Sequence, residues 1–280
     1  MEGSERRRPV EPFEICSIRP PTENTSLTFR LTRNCGWNKC SFCPVYKTGE
    51  RFSRRSIEEI MEDVDRARYI DDLVSTLGTG PGRPVSELSR QIAALTETER
   101  ERDRVRDDNN QADWISSWFK ETPSIRESID HVYAWRLHGG QTAFLGDADT
   151  LSLKPEFFAQ IMDYIRERFP SLRRFTGYGR TRSAVRKGPE ALGAFAKAGL
   201  NRLHFGIESG SDRVLASVSK GETADDHIRG CHATRQAGIS PSVYIMPGLG
   251  GAAWSDEHAH ETARVLTEIR PDYVRIRTLE

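Results

Sequence analysis

Residues 30–47 read RLTRNCGWNKCSFCPVYK and place Cys35, Cys40 and Cys43 within nine positions. The chain has only two other cysteines, Cys16 and Cys231. Three thiols this close need a reason. A structural zinc takes four protein ligands, commonly as paired CxxC knuckles, but Cys40 and Cys43 form the one CxxC of the chain. The nearest downstream histidine, His131, is remote in sequence. A four-iron cluster on three thiolates leaves one iron free for a small molecule, so the missing fourth cysteine becomes part of the chemistry.

The thiol loop follows a strand-like run, SLTFRLTR at 26–33, and precedes SIEEIMEDVDRARYI, where Ser56 and Glu59 form a capping box. There Ile57, Ile60, Met61 and Val64 fall on one helical stripe. A second strand is expected at QTAFLGD, 141–147. Four more follow in ERFPSLRRFTGY, KAGLNRLHFGI, QAGISPSVYIM and EIRPDYVRIRTL. In each, a helical pattern stops at Pro170, Gly199, Gly238 or Pro271 and a β-rich run begins. KPEFFAQIMDYIRERF sets Phe157, Phe158, Ile161, Met162 and Ile165 on one face, with Pro155 in the first turn. Strands alternating with helices at such intervals predict a parallel α/β sheet, open or closed into a barrel.

Between the first helix and the second strand, about 71–138, the rhythm is interrupted. The stretch holds TETERERDRVRDDNN but also Trp114, Trp118, Phe119 and Trp135. A solvated linker has no use for those aromatics, so helices packed on or over the core are expected, with a charged loop near 97–111. The interruption is read as a lid or substrate-recognition element within one domain, 1–280.

The 41 Lys and Arg balance 41 Asp and Glu. No global field therefore recruits nucleic acid or an anionic membrane, and the SERRR run is read as a solvated tail. No apolar window approaches the ~18 residues of a membrane span, and no secretory signal is evident. A cytoplasmic location is expected, where clustered thiols suit a metal better than disulfides. The chain ends just after the sixth strand, short of the helix that an α/β unit usually adds.

The motif CGWNKCSFC followed by Pro44 resembles the cluster loop of the radical S-adenosylmethionine (SAM) superfamily. It departs from the commonest spacing in having four residues, Gly36 to Lys39, between the first two cysteines. The resemblance implies a partial parallel (β/α)6 TIM-like barrel, with a helical insertion. It implies a [4Fe–4S] cluster on Cys35, Cys40 and Cys43, and SAM as cofactor with its adenine against Phe42. FLGDADTL resembles the family's second-strand motif, implying that Gly146 and one of Asp147 and Asp149 meet the SAM amino group. HFGIESG places Glu208 and Ser209 at the fourth-strand position that reaches the ribose or methionine part. GIESGSDRVLASVSKGET resembles coproporphyrinogen-dehydrogenase-like members, implying that Lys220 pairs with the SAM carboxylate. SVYIMPGLGG and YVRIRTL resemble the fifth and sixth strands, which flank the adenine.

The implied reaction is reductive cleavage of SAM, releasing a 5′-deoxyadenosyl radical that takes hydrogen from a small-molecule or otherwise unidentified substrate. An electron donor such as flavodoxin or ferredoxin is implied as partner. No further cysteine cluster is present for an auxiliary centre. Two other readings stand beside this one: a non-catalytic iron–sulfur electron-transfer protein, and a zinc-stabilised interaction module. His258 and His260 are two apart on an expected helix capped by Ser255 and do not face each other. Cys231 is spaced as a core thiol, and Trp254 is placed at the barrel's open end or in packing.

Overall fold

The computed structural model describes residues 10–16, 18–47, 49–76 and 124–278. Six strands form one parallel sheet: β1 (Leu27–Arg30), β4 (Thr142–Gly146), β5 (Arg174–Gly179), β6 (Leu200–Glu208), β7 (Ser240–Ile245) and β8 (Tyr273–Ile276). Spatial order follows chain order, β1-β4-β5-β6-β7-β8, and every neighbouring pair is parallel. β1 and β8 do not pair, so the barrel is partial, as expected of six βα units.

The helices lie where the apolar periodicity puts them. α1 (Ile57–Thr76) starts at the expected capping box: Ser56 N–H donates to Glu59 Oε2 (2.8 Å), and Glu59 N–H to Ser56 Oγ (3.2 Å). It buries Ile60, Val64, Ala67, Ile70 and Val74, while Met61 is only half-buried. α2 (Ile125–Leu137) packs beside α1 and buries Trp135, whose ring stands edge-on to Phe169 at 5.6 Å. Residues 71–76 thus continue α1, and 124–137 form the capped helix that leads into β4. Trp114, Trp118, Phe119 and the 97–111 run lie outside the described residues.

α3 (Pro155–Arg168) buries Phe158, Ile161, Met162 and Ile165. α4 (Thr181–Lys197) is broken at Gly188 and Pro189, α5 (Asp212–Ser217) is short, and α6 (Ala224–Gln236) carries the buried Cys231. α7 (Ser255–Ile269) is preceded by Trp254 at its N-cap, so Ser255 begins the helix instead of capping it. Gly199 (φ +98°) and Gly238 (φ +85°) follow the ends of α4 and α6, in the left-handed conformation that glycine adopts without strain.

One expectation is corrected. The run 26–33 is not a single strand: after Arg30 the chain leaves the sheet. β2 (Thr32–Arg33) then pairs antiparallel with β3 (Ser53–Arg54). This ribbon clamps the two ends of the cysteine loop. Arginines lock it from beneath: Arg55, 4% exposed, donates to Asp63 (2.6 Å) and to the carbonyls of Arg30 and Glu59. Arg33 joins Glu14 and Glu59. A buried guanidinium costs the fold least when its charge and N–H groups are so partnered.

Candidate functional site

The cysteine loop lies over the C-terminal ends of the strands, the face where α/β barrels carry their sites. Its path is set by asparagines. Asn34, at φ +66°, accepts from Cys35 N–H at Oδ1 (2.6 Å) and donates to the Glu50 carbonyl (2.7 Å). Asn38, at φ +42°, donates to the Tyr46 carbonyl (2.5 Å), and its backbone N–H points at Cys35 Sγ (3.5 Å). Asn tolerates the left-handed region better than other non-glycine residues. Trp37, in the four-residue spacer, donates its indole N–H to the Ser219 carbonyl (2.8 Å). Arg180 and Lys39 sit over its ring at 4.9 and 5.0 Å.

Cys35, Cys40 and Cys43 line one cavity together with Phe42, Glu208 and Lys220. All three thiols are free of disulfides and half-buried. Burial raises the pKa of Cys40 and Cys43, while Lys220 pulls both back down. Among the described residues no three His, Cys, Asp or Glu side chains converge on a single ion. Zinc–sulfur bonds of about 2.3 Å would draw its ligands to one point. A cluster would take each thiolate on a different iron, and three thiols lining one cavity are compatible with that.

Opposite the thiols, β6 ends in a distorted segment. The β6–β7 register shifts between Gly206 and Glu208, and Glu208 has φ +63°. Such bulges re-aim side chains, and strained backbone is retained where the surroundings enforce it. Here Glu208 meets Lys220, Oε1 to Nζ 3.5 Å, with both side chains 10% exposed. Lys220 also lies 3.7 Å from Glu222, and Arg180 is 3.4 Å from the same carboxylate. Burial raises the Glu208 carboxyl despite its neighbour. At Lys220 burial works downward, but Glu208 and Glu222 outweigh it and raise the ammonium. At Glu222 burial works upward, and Lys220, Arg180 and His227 outweigh it and hold the carboxyl low.

The other expected residues stand behind the wall. A Cβ on Gly146 would come within 2.6 Å of Cys16 Sγ, so glycine here makes room for that thiol. Asp147 accepts from Cys16 Sγ (2.9 Å), Arg30 Nε (2.8 Å) and Asn34 N–H (3.3 Å). Asp149 caps the turn after β4, accepting from Leu151 N–H, Arg180 N–H and Ser183 Oγ. Burial pushes its carboxyl up to about 6. Ser209 pairs with His258 Nδ1 (2.8 Å) and accepts from Ser211 N–H (3.0 Å), tying β6 to α7. His260 is exposed and bonds its own helix. His131 lies elsewhere, its Nε2 accepting the Thr28 N–H of β1 at 3.0 Å. Trp254 packs with Phe42 on Val214, Met246 and Leu249.

Several lining residues escaped the sequence reading: Arg180, Arg277, Tyr178, Tyr244 and His204. His204 had a signal, because residues 204, 206 and 208 of one strand share a face. It is fully buried, with neither ring nitrogen hydrogen-bonded and Glu23 3.6 Å from Nε2. Burial lowers its pKa and favours the neutral ring, which lines the cavity.

A family model described as the radical SAM superfamily matches residues 122–264. Solved structures share the fold at low identity. Methylornithine synthase (PylB) is 14% identical with a TM-score of 0.51, over 91% of this chain and 53% of that one. Coproporphyrinogen III oxidase (HemN) from Escherichia coli is 15% identical with a TM-score of 0.50, over 98% and 46%. The methyltransferase TsrM from Kitasatospora setae, solved with cobalamin and a [4Fe–4S] cluster, is 14% identical with a TM-score of 0.52, over 90% and 36%. The chain therefore spans about half or less of the length of these proteins. No curated protein matches the chain.

Proposed function

The chain belongs to the radical SAM superfamily of enzymes, whose members bind a [4Fe–4S] cluster and SAM, and on that premise we propose that it cleaves SAM reductively to start radical chemistry on a substrate held in the barrel. The observation that carries the reading is one cavity that collects all three cysteines of the loop and, facing them, the Glu208–Lys220 pair.

Cys35, Cys40 and Cys43 would hold the cluster as thiolates, and their partial exposure toward the cavity leaves room for a ligand beside it. Held there and reduced, such a cluster would supply the one electron that the SAM sulfonium takes up. Everything else falls to this chain's side chains. Lys220 and Glu208 offer opposite charges at a separation that a zwitterionic amino-acid end can enter: Lys220 for its carboxylate, Glu208 for its ammonium. Phe42, braced by Met246 and Leu249, gives the adenine an apolar face. The buried ring of His204 and the phenols of Tyr178 and Tyr244 line the same cavity, where a polar substrate group would find partners. Asp147, Asp149, Gly146 and Ser209 support this wall from behind.

The test is an electron paramagnetic resonance spectrum of anaerobically reconstituted, dithionite-reduced protein with and without SAM. A [4Fe–4S]+ signal reshaped by SAM is the expected result. A signal indifferent to SAM would leave an electron-transfer protein, and zinc in place of iron would leave an interaction module.

A further inference from the structure

A second depression lies on the outer side of the cysteine loop, and Cys35, Trp37 and Arg180 line both it and the inner cavity. Its rim is arginine: Arg54 from β3, with Arg182 and Arg186 from the first turns of α4. All three are exposed. Arg54 donates to the Ser152 carbonyl (3.2 Å) and Arg182 to the Gly221 carbonyl (3.0 Å). Among the described residues none of the three forms an ion pair with a carboxylate. The carboxylate lining the depression, Asp149, is buried and spends its oxygens on Leu151, Arg180 and Ser183. The adjoining loop adds the exposed cations Lys39, Lys47 and Arg51. Across residues 36–54, Glu50 is the single acidic residue. In a chain of zero formal net charge, this is a local concentration of positive potential.

We propose that this arginine-rimmed depression is the docking surface for an acidic one-electron carrier protein, which delivers its electron through the Cys35–Trp37 side of the loop. The proposal rests on the cluster reading above. One electron leaves the carrier's reduced flavin or iron–sulfur centre and enters the cluster, which passes from the 2+ to the 1+ state, and no proton need move. Electron transfer weakens steeply with distance, so docking belongs where a cluster ligand comes nearest an open face. Cys35 meets that condition because it lines the depression as well as the cavity. Complementary charge steers encounter and fixes orientation more than it adds affinity.

The test uses an acidic flavodoxin as probe, with the Arg182→Glu/Arg186→Glu double variant and Arg54→Glu. Arg264→Glu, on the exposed face of α7, serves as control. Binding is titrated calorimetrically on the reconstituted protein at low and high salt. The reduction rate of the cluster by flavodoxin hydroquinone is compared with that by dithionite. Expected are salt-sensitive binding to wild type, at least about tenfold weakening in the rim variants, and a matching loss in the flavodoxin rate. Dithionite reduction and the Arg264→Glu protein should be unchanged. Wild-type binding and rates in the rim variants would overturn the proposal. So would salt-sensitive binding of a single-stranded oligonucleotide with none of flavodoxin. A protein that takes up no cluster but binds flavodoxin at the rim would instead sink the cluster reading alone.

Discussion

Lys220 Nζ stands 3.5 Å from Glu208 Oε1 inside the cavity wall, with a second carboxylate, Glu222, 3.7 Å away on its other side. A lysine between two buried carboxylates stays charged, and it can exchange Glu208 for a ligand carboxylate without losing Glu222. Replacing it by methionine removes the cation and keeps the length. A hydrogen bond to a charged group is worth about 1.5–3 kcal/mol, so Lys220→Met should weaken SAM binding roughly ten- to hundredfold. Equilibrium dialysis against labelled SAM measures this, and unchanged affinity would remove Lys220 from the binding site.

Gly206 gives a sharper test of Glu208. A Cβ at 206 would lie 2.1 Å from Glu208 Oε1 and 3.1 Å from Lys220 Nζ. Both are ends of flexible side chains, so Gly206→Ala should displace the carboxylate at little cost to the fold. The expected outcome is a melting temperature within a few degrees of wild type together with SAM affinity reduced at least as far as in Glu208→Gln. A variant that binds SAM normally would show that the carboxylate's position is immaterial.

The cysteine loop is anchored at a distance by Trp37. Gly221, at φ +70°, packs under that indole, and a Cβ there would lie 2.1 Å from the ring. Gly221→Ala combines a strained backbone with a blocked ring, so Trp37 should leave Ser219 and the spacer between Cys35 and Cys40 should loosen. We expect reduced iron retention after gel filtration, with Trp37→Ala behaving alike. Full iron content in both variants would mean that the loop holds its shape through Asn34 and Asn38 alone.

The βα rhythm was legible because each breaker coincided with a change of hydrophobic period, and all six expected strands are present in chain order. The split of 26–33 was not legible. Thr32 and Arg33 have strand-like composition whether they continue β1 or pair with Ser53 and Arg54, and only the return of the chain at Arg55 decides between these. In the site, the cysteines, Phe42, Glu208 and Lys220 come together, whereas Asp147 is turned toward Arg30. Sequence reveals that an aspartate follows a strand, but not which buried arginine claims it. Arg180 and Arg277 enter the cavity from beyond strand ends, where nothing in the local pattern sets them apart from solvated arginines.

His131 makes the fold sensitive to acid. Its Nε2 accepts the Thr28 N–H, a role open only to the neutral ring, and burial with Arg19 nearby lowers its pKa from 6.5 to about 3. Between those values the unfolded chain binds a proton that the folded chain does not, so stability rises with pH and is lost as pH falls below about 6.5. The slope from one such group is about 1.4 kcal/mol per pH unit. His227, lowered to about 4 by burial, acts in the same direction. Asp149, raised to about 6, acts in the opposite one, because its folded form binds the extra proton. Glutamine at 131 retains an acceptor for Thr28 and cannot titrate. Urea titrations of wild type and His131→Gln at pH 5 and 6.5 should therefore differ in slope by about 1.1 kcal/mol per unit, since the unfolded imidazole is only half protonated at the upper pH, with the variant flatter. Parallel curves would mean that the imidazole is protonated in the native protein, and that Thr28 has another partner.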